Sequence, residues 1–265
     1  MLSFFSKRPH RPNAQTVTKR ALILREIFVK GAATPPPDAL AEWMTRWTED
    51  ERREFFANAE LQNAPRVGWL QRTGLWAEMS NEEQAFMNTG VVKVTTEQIV
   101  NASWLAESIG CLLWALGHFP ETPAYDEETS HEPIKAMSNK SIQEHLKTAS
   151  LRPANEIDIK RDLAELWHWR CRTRTLLESR KIPSELENGM SMDEVIELSA
   201  TKAAESHAFE TAIGNDFPTF GKPFREMTVE EFAHVTSTSQ ERHKAFNWLC
   251  GYAPGNRWDE TPTDT

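Results

Sequence analysis

The chain has 265 residues, a net charge of −9 and a hydrophobic content of 39%, values typical of a soluble globular protein with a substantial core. Nucleic-acid binding needs a concentrated basic surface, so the acidic balance argues against a general nucleic-acid-binding protein. The longest apolar run, residues 109–116, is interrupted by a glycine and is far too short to span a membrane. We therefore expect neither nucleic acid nor membrane among its partners.

The N-terminus carries a short basic cluster, formed by Lys7, Arg8, His10 and Arg11. We interpret residues 1–14 as a mobile basic N-terminus, because terminal charge clusters are usually solvated. Residues 15–265 are predicted to form a single helical domain.

Helix signals follow one another along this domain, and no segment has a convincing strand pattern. The first predicted helix covers residues 15–30 and ends at Gly31, since glycine often follows the last residue of a helix. Four capping boxes, in which Ser or Thr precedes Glu by three residues, mark further helix starts. They are Thr48 with Glu51, Ser80 with Glu83, Ser191 with Glu194, and Thr228 with Glu231.

The central predicted helix, about residues 95–116, is apolar on nearly all sides in its second half, which is typical of a buried helix. A long loop is expected over residues 118–133, and any subdivision of the domain is placed there. The longest helix is predicted to start at Asn155, with two more over residues 192–213 and 229–252. The fold class is therefore all-α, one compact domain of about eight to ten helices.

Three charged residues occupy positions where apolar residues recur at helical spacing: Glu107, Arg170 and Arg242. A buried charge needs a partner, so these residues are the main candidates for a polar site. One interpretation is a pocket in which both arginines bind a small anionic ligand, and another makes Glu107 a general base. The third is a structural ion-pair network that fixes the packing of the helices.

His168 and His243 are further candidates for catalysis. His168 lies opposite the apolar stripe of its helix, so it is predicted to be exposed or to face a second contact surface. A catalytic histidine needs an orienting carboxylate and a nucleophile or water within hydrogen-bond distance. Ordinary structural histidines are the simpler interpretation.

Metal, cofactor and disulfide chemistry have weak signals. Glu-x-x-His occurs three times, but the copy at Glu165 and His168 falls on the polar side of its helix, whereas ligands must project inward. Zinc-binding, P-loop and nucleophile-elbow motifs are missing. We therefore expect no metal and no cofactor. The three cysteines, Cys111, Cys171 and Cys250, are predicted to be buried thiols in a cytoplasmic protein.

The C-terminal residues 258–265 are predicted to dock on the domain. Trp258 would fill an apolar socket, because a large amphipathic ring is a good anchor. Asp259 and Asp264 would then meet helix N-termini or arginines, and Asp259 is a candidate ligand-binding residue beside Arg242 or His243.

Several motifs resemble a bacterial family, the domain-of-unknown-function family 4272. They are Ser103-Trp104-Leu105-Ala106-Glu107 with Leu113-Trp114-Ala115-Leu116-Gly117, Asp162-Leu163 with His168-Trp169, Glu241-Arg242-His243-Lys244-Ala245-Phe246-Asn247-Trp248-Leu249, Trp258-Asp259 and the terminal Thr263-Asp264-Thr265. The resemblance runs from about Thr18 to the C-terminus, and the motif at residues 241–249 is the most specific. It implies a mostly helical bacterial domain with no established activity, cofactor or partner.

Two functions are compatible with these observations. The leading hypothesis is a non-catalytic, tryptophan-rich binding or protein-interaction module that recognises a partner protein or a small anionic ligand. The alternative is a hydrolase-type enzyme that uses Glu107 with His168 or His243 and arginine charge stabilisation. An open site that joins these groups would favour the enzyme, whereas a dry, fully paired network would favour the binding module.

Overall fold

A computed structural model describes residues 10–137, 141–183, 186, 189–206 and 208–264. Within these residues the chain forms ten α-helices and one small antiparallel pair of strands. The helices are α1 (Ala14–Ala33), α2 (Pro37–Arg46), α3 (Glu49–Arg72), α4 (Asn81–Asn88), α5 (Thr96–Ala115), α6 (His131–Ala136), α7 (Ile142–Thr148), α8 (Ala154–Glu178), α9 (Met192–Glu205) and α10 (Val229–Leu249). The strands are β1 (Pro218–Thr219) and β2 (Lys222–Pro223). The prediction of an all-α domain is confirmed.

Four long helices build the centre of the molecule. Helix α5 packs against both α1 and α10, and α8 packs against α10. Every residue of α5 from Ala106 to Ala115 is buried, as the nearly uniform apolar character of this segment predicted. Because residues from Val17 to Trp258 belong to the same apolar cluster, the helices share one hydrophobic core.

The four predicted capping boxes are present at the starts of α3, α4, α9 and α10. In each one the Ser or Thr hydroxyl accepts from the N–H three residues later, and the Glu carboxylate accepts from the capping residue's N–H. These reciprocal bonds satisfy N–H groups that a helix end would otherwise leave unpaired. Local sequence therefore specifies where these helices begin.

Gly31 does not end the first helix, because α1 continues to Ala33. Its role is close packing: a Cβ atom placed on Gly31 would lie 2.5 Å from the Cβ of Ala102 on α5. That distance is shorter than real carbon contacts, so the missing side chain permits α1 and α5 to approach.

Three other predicted helix boundaries, one start and two ends, also differ from the structure. Pro153, not Asn155, occupies the N-cap of α8. Helix α9 ends at Glu205 rather than residue 213, and the Phe209 ring beyond it packs on Phe217. Helix α10 ends at Leu249, because Gly251 takes a left-handed conformation with φ of +82°.

The loop between α5 and α6 covers residues 116–130 and lies against the body of the domain. Arg152 fixes this loop, because its Nη2 donates to the carbonyls of Phe119 at 2.7 Å and Pro120 at 3.1 Å. The aromatic connector before α10 is also packed, with Phe217 and Phe224 fully buried around β1 and β2.

The segment from residue 37 to 66 stands outside this core. It contains α2 and most of α3, which we call the α2–α3 hairpin. None of its residues belongs to the shared apolar cluster or to the partly buried residues packed on that cluster. Its one fully buried side chain is Leu40. Two polar contacts, from Asn63 to the carbonyl of Met87 and from Arg66 to Glu26, join the C-terminal end of the hairpin to the rest of the domain.

The ten tryptophans are distributed between these two regions. Trp114, Trp167, Trp248 and Trp258 are buried in the core, whereas Trp43 in the hairpin is 39% exposed. Across the described residues, no helix is long and apolar enough to cross a membrane.

Candidate functional site

Glu107 is buried on α5, and both of its carboxylate oxygens accept hydrogen bonds from the protein. Oε1 accepts from the backbone N–H of Thr129 at 2.8 Å, and Oε2 accepts from the Thr129 hydroxyl at 2.9 Å. Oε2 also accepts from Nε and Nη2 of Arg242, at 2.9 and 2.7 Å. Because Glu107 is 2% exposed and both of its oxygens accept from internal groups, the carboxylate faces the protein interior and not a substrate site.

Arg242 uses all five of its N–H groups inside the protein. Besides the two bonds to Glu107, Nη1 donates to the carbonyls of Pro123 at 2.7 Å and Ala124 at 3.1 Å. Nη2 also donates to the carbonyl of Glu127 at 2.9 Å. No donor of Arg242 remains for an external anion. The pair instead ties α5, α10 and the loop at residues 116–130 together.

Arg170 has a different carboxylate partner. Its Nε and Nη2 both lie 2.8 Å from the two oxygens of Asp216, a bidentate pair in the connector before α10. Arg170 holds the pKa of Asp216 below its usual range by this pairing, against the opposing effect of burial. Nη1 of Arg170 is buried without a hydrogen-bond partner among the described residues, and the guanidinium lies 4.2 Å from the Phe224 ring centre.

Aromatic rings occupy the space between the two ion pairs. Tyr125 stacks on Trp167 with ring centres 4.7 Å apart, and Arg242 lies 4.9 Å from the Tyr125 ring centre. On the other side, Trp167 contacts Phe224, the ring that also meets Arg170. The three predicted charges are therefore buried as expected, but they form two separate pairs and not one pocket.

The two histidines are in direct contact, with their Nδ1 atoms 3.0 Å apart. Asn247 determines which atom donates: its Oδ1 accepts from Arg161 at 2.9 Å, so its amide nitrogen faces Nε2 of His243 at 2.9 Å. Nε2 of His243 is then an acceptor, and its proton is on Nδ1. His243 consequently donates to Nδ1 of His168, which carries its own proton on Nε2.

Burial lowers the pKa of His168 and of His243 to about 4 each. The nearby Arg172 adds to this effect at His168, and His168 itself and Arg161 add to it at His243. The imidazoles bond to each other and to an amide, and Glu107 is not among their hydrogen-bond partners. His168, which the helical pattern predicted to be exposed or to face a second surface, is buried on α10.

The C-terminal tail reaches the histidine pair through its backbone. The amide nitrogen of Asn247 donates to the carbonyl of Pro262 at 2.8 Å. Trp258 is buried against Trp248, with ring centres 5.5 Å apart. Asp259 is exposed and lines a shallow cleft with Arg20 and not with Arg242 or His243.

Thiol and metal chemistry find little support in the geometry. All three cysteines are free and buried, and burial raises the pKa of Cys111 to about 12 and of Cys171 to about 11. Glu165 bonds to Arg161 at 2.7 Å and not to His168. Across the described residues, no three His, Cys, Asp or Glu side chains are grouped so that they could hold a metal ion.

A cavity of about 250 Å³ opens between α1, α3 and the segment 89–92. At its floor, Nζ of Lys30 donates to the carbonyls of Phe86, Met87 and Thr89 at 2.6 to 2.8 Å. These carbonyls end α4, so the buried ammonium caps that helix. Burial lowers the pKa of Lys30 to about 8, although the Glu60 carboxylate opposes the shift.

The α2–α3 hairpin carries a row of aromatic rings that leads to this cavity. Ring centres are 5.9 Å apart between Trp43 and Trp47, 5.1 Å between Trp47 and Phe55, and 5.5 Å between Phe55 and Phe56. Phe56 also lines the cavity. The cavity and the ring row thus form one continuous surface outside the core.

A family model, Domain of unknown function (DUF4272), matches residues 6–196, well over half of the chain. The chain belongs to the DUF4272 family. No curated protein and no solved structure gives a match.

The residues matched by the DUF4272 family model include only one member of each buried pair. It contains Glu107, His168 and Arg170, whereas their partners Arg242, His243 and Asp216 lie beyond residue 196. The motif at residues 241–249, which the sequence suggested as the most specific one, also lies outside the matched residues. The hairpin and the cavity lie entirely within them.

Sequence reasoning did not find the hairpin surface or the cavity. Helix α3 alternates charged, apolar and small residues without a helical apolar stripe, so its pattern does not distinguish a core face from a binding face. The available signal was the density of aromatic residues, Trp43, Trp47, Phe55 and Phe56, between the proline run and Pro65.

Proposed function

We propose that this DUF4272 protein is a non-catalytic protein-interaction module and that the α2–α3 hairpin is its binding surface. The observation that carries the proposal is that residues 37–66 include four aromatic side chains, yet none contributes to the hydrophobic core. Aromatic residues are the ones that most often anchor protein interfaces.

The candidate catalytic groups support a binding role over catalysis. Glu107 and Arg242 are fully engaged with each other and with backbone groups, and Arg170 is engaged with Asp216. The histidine pair is buried and has a low pKa. A buried, paired network of this kind stabilises a specific packing of helices and leaves substrate binding to other surfaces.

The charge of the hairpin favours a basic partner. Residues 37–60 contain seven acidic and three basic residues. Arg46 pairs with Glu42, Arg52 with Glu49 at 3.9 Å, and Arg53 with Asp50 at 3.4 Å, all within the hairpin. The fourth arginine of the hairpin, Arg66, pairs with Glu26 of α1 at 3.3 Å. Residues 37–66 therefore keep an excess of three acidic residues.

The partner that fits this surface is an amphipathic protein segment with large apolar side chains and lysine or arginine beside them. Its apolar face would cover the exposed edge of Trp43 and the exposed Leu61, and its cations would approach Glu54. Recognition of an amphipathic helix in a groove commonly uses such anchors at helical spacing. Opposite charges on the two surfaces would also speed association.

A titration with a defined peptide tests this proposal. We expect a labelled peptide of about twelve residues, with leucine and lysine at helical spacing, to bind and to increase its fluorescence anisotropy. The same peptide with glutamate in place of lysine should bind at least about tenfold more weakly.

Matched variants locate the binding surface. Trp43→Ala and Glu54→Lys should each weaken binding of the lysine peptide, whereas Leu198→Ala, at an exposed leucine on α9, should leave it unchanged. Equal affinity for both peptides, or equal losses at Trp43 and Leu198, would contradict the proposal.

A further inference from the structure

The cavity beside the hairpin presents polar groups of opposite charge along one helix. Glu60, Asn63 and Arg66 follow each other at three-residue spacing on α3, and all three line the cavity. The backbone positions of Glu60 and Arg66 are separated by about 9 Å along the helix axis. Both side chains are long enough to contact a ligand that lies between them.

Asn63 lies between these two residues on α3 and is bonded to the end of α4. Its Nδ2 donates to the carbonyl of Met87 at 2.9 Å, which fixes the orientation of the amide. Because this bond holds Asn63 in place, Glu60 and Arg66 are the members of the row that can contact a ligand.

The two charged residues retain capacity for a ligand. Arg66 uses Nη1 to contact Glu26 at 3.3 Å, and that contact leaves its Nε and Nη2 donors. Glu60 is exposed and forms no ion pair within the described parts of the chain. Lys30, in contrast, directs its three N–H groups at the carbonyls that end α4. The lining therefore offers one anion and one cation.

The rest of the lining is apolar and small. Phe56, Ala59, Ala33, Val91 and Val92 line the cavity beside these polar groups. The volume of about 250 Å³ is enough for a small molecule with a branched or aromatic body.

From this lining we propose that the cavity binds a small zwitterion with an apolar body, of the α-amino acid class. The ammonium group contacts Glu60, and the carboxylate contacts the free donors of Arg66. The apolar side chain lies against Phe56, Val91 and Val92. This site adjoins the peptide-binding surface of the hairpin, and Phe56 belongs to both, but amino acid binding does not require the peptide.

Isothermal titration calorimetry of the intact protein with leucine and phenylalanine tests the proposal. Two analogues of leucine serve as controls: isoamylamine lacks the carboxylate, and isocaproate lacks the ammonium group. We expect at least one amino acid to bind, and each analogue to bind about tenfold more weakly or less, because each loses one charge-assisted contact.

Variants assign the contacts to the cavity. Glu60→Gln and Arg66→Gln should each weaken binding about tenfold, whereas Glu82→Gln, an exposed glutamate on α4, should not. Arg66 also pairs with the buried Glu26, so its replacement can affect folding. Among the described residues Glu60 has no ion-pair partner, so Glu60→Gln tests the site without breaking a structural ion pair.

Several outcomes would overturn the proposal. Equal affinity for isoamylamine or isocaproate would show that only one charge is recognised. Unchanged affinity in Glu60→Gln would place the ligand elsewhere, and absence of amino acid binding up to about 10 mM would remove the site. None of these outcomes affects the lysine-peptide titration, so this proposal and the proposed function fail separately.

Discussion

The core of the molecule and the α2–α3 hairpin use the same residue types in opposite ways. In the core, Trp114 and Trp248 are 2% and 1% exposed, and each buried charge has a partner on another element. In the hairpin, Trp43 is 39% exposed. Arg46, Arg52 and Arg53 pair with acids three or four residues away, and only Arg66, at the end of the hairpin, pairs with Glu26 of α1. The core thus pairs its buried carboxylates with arginines on other elements, whereas the hairpin leaves aromatic and acidic side chains at the surface.

This difference changes how buried charges should be interpreted. The most conspicuous residues of the sequence are Glu107, Arg170 and Arg242. Each of them bonds to an oppositely charged side chain inside the fold, Glu107 with Arg242 and Arg170 with Asp216. Burial of a charge shows only that a partner exists, and here the partner is internal. The less conspicuous residues of α3 have the unused capacity.

The largest effect on stability is expected when the buried ring of Trp258 in the C-terminal tail is removed. Trp258→Ala should lower the free energy of unfolding by about 3–5 kcal/mol, because it removes a buried ring packed against Trp248. Urea unfolding followed by circular dichroism measures this. Trp43→Ala is the matched control in the hairpin, and it should cost less than about 1 kcal/mol. Similar losses in the two variants would contradict the division into core and hairpin.

Glu107→Gln should destabilise the protein by about 2–5 kcal/mol, because it leaves the buried Arg242 guanidinium without its anionic partner. The same unfolding experiment measures the loss. Glu54→Gln replaces an exposed glutamate of α3 and serves as the control. An unchanged midpoint for Glu107→Gln would show that the pair does not hold the core.

Acid should weaken the core through the histidine pair. The folded-state pKa of His168 and of His243 is about 4, below the ordinary value of 6.5 that applies to the unfolded chain. Between these values the unfolded state binds more protons, so the free energy of unfolding falls as the pH falls from about 6.5 to 4. The expected loss is about 3 kcal/mol for each imidazole.

Nuclear magnetic resonance titration of the imidazole ring protons measures these pKa values directly. Both His168 and His243 should remain neutral at pH 5.5. A pKa above 6 for either member of the pair would contradict the buried, neutral assignment.

The smallest effect on stability is expected at the acidic surface of the hairpin. Glu54→Gln should change the free energy of unfolding by less than about 0.5 kcal/mol, because the side chain is exposed and forms no ion pair with any residue that the structure describes. Its effect should be on binding: the affinity for the lysine peptide should fall and depend less on salt. A stability loss without a change in binding would indicate a structural role for Glu54.

Local sequence predicted most of the helix starts and the buried charges. The capping boxes at Thr48, Ser80, Ser191 and Thr228 are all formed, because they depend on bonds between residues three apart. The buried charges Glu107, Arg170 and Arg242 could be predicted because the helical spacing of the apolar residues around them shows which face of the helix is buried.

Partners distant in the chain could not be predicted in the same way. Asp216, which pairs with Arg170, lies in a connector without periodicity. His168 was predicted to be exposed or to face a second contact surface, and the second alternative is correct, because α8 packs this side against α10. The sequence did not show that α10 is the element it contacts. The cavity is formed by α1, α3 and the segment 89–92, so no single stretch of sequence contains its pattern.

Native-state hydrogen exchange with and without the lysine peptide tests the separation of core and binding surface most directly. Amides of residues 37–60 should exchange much faster than those of α5 and α10 in the free protein, since few core contacts protect them. The peptide should slow exchange in the hairpin and leave α5 and α10 unchanged. Core-like protection of the free hairpin, with no response to the peptide, would contradict its assignment as the interaction surface.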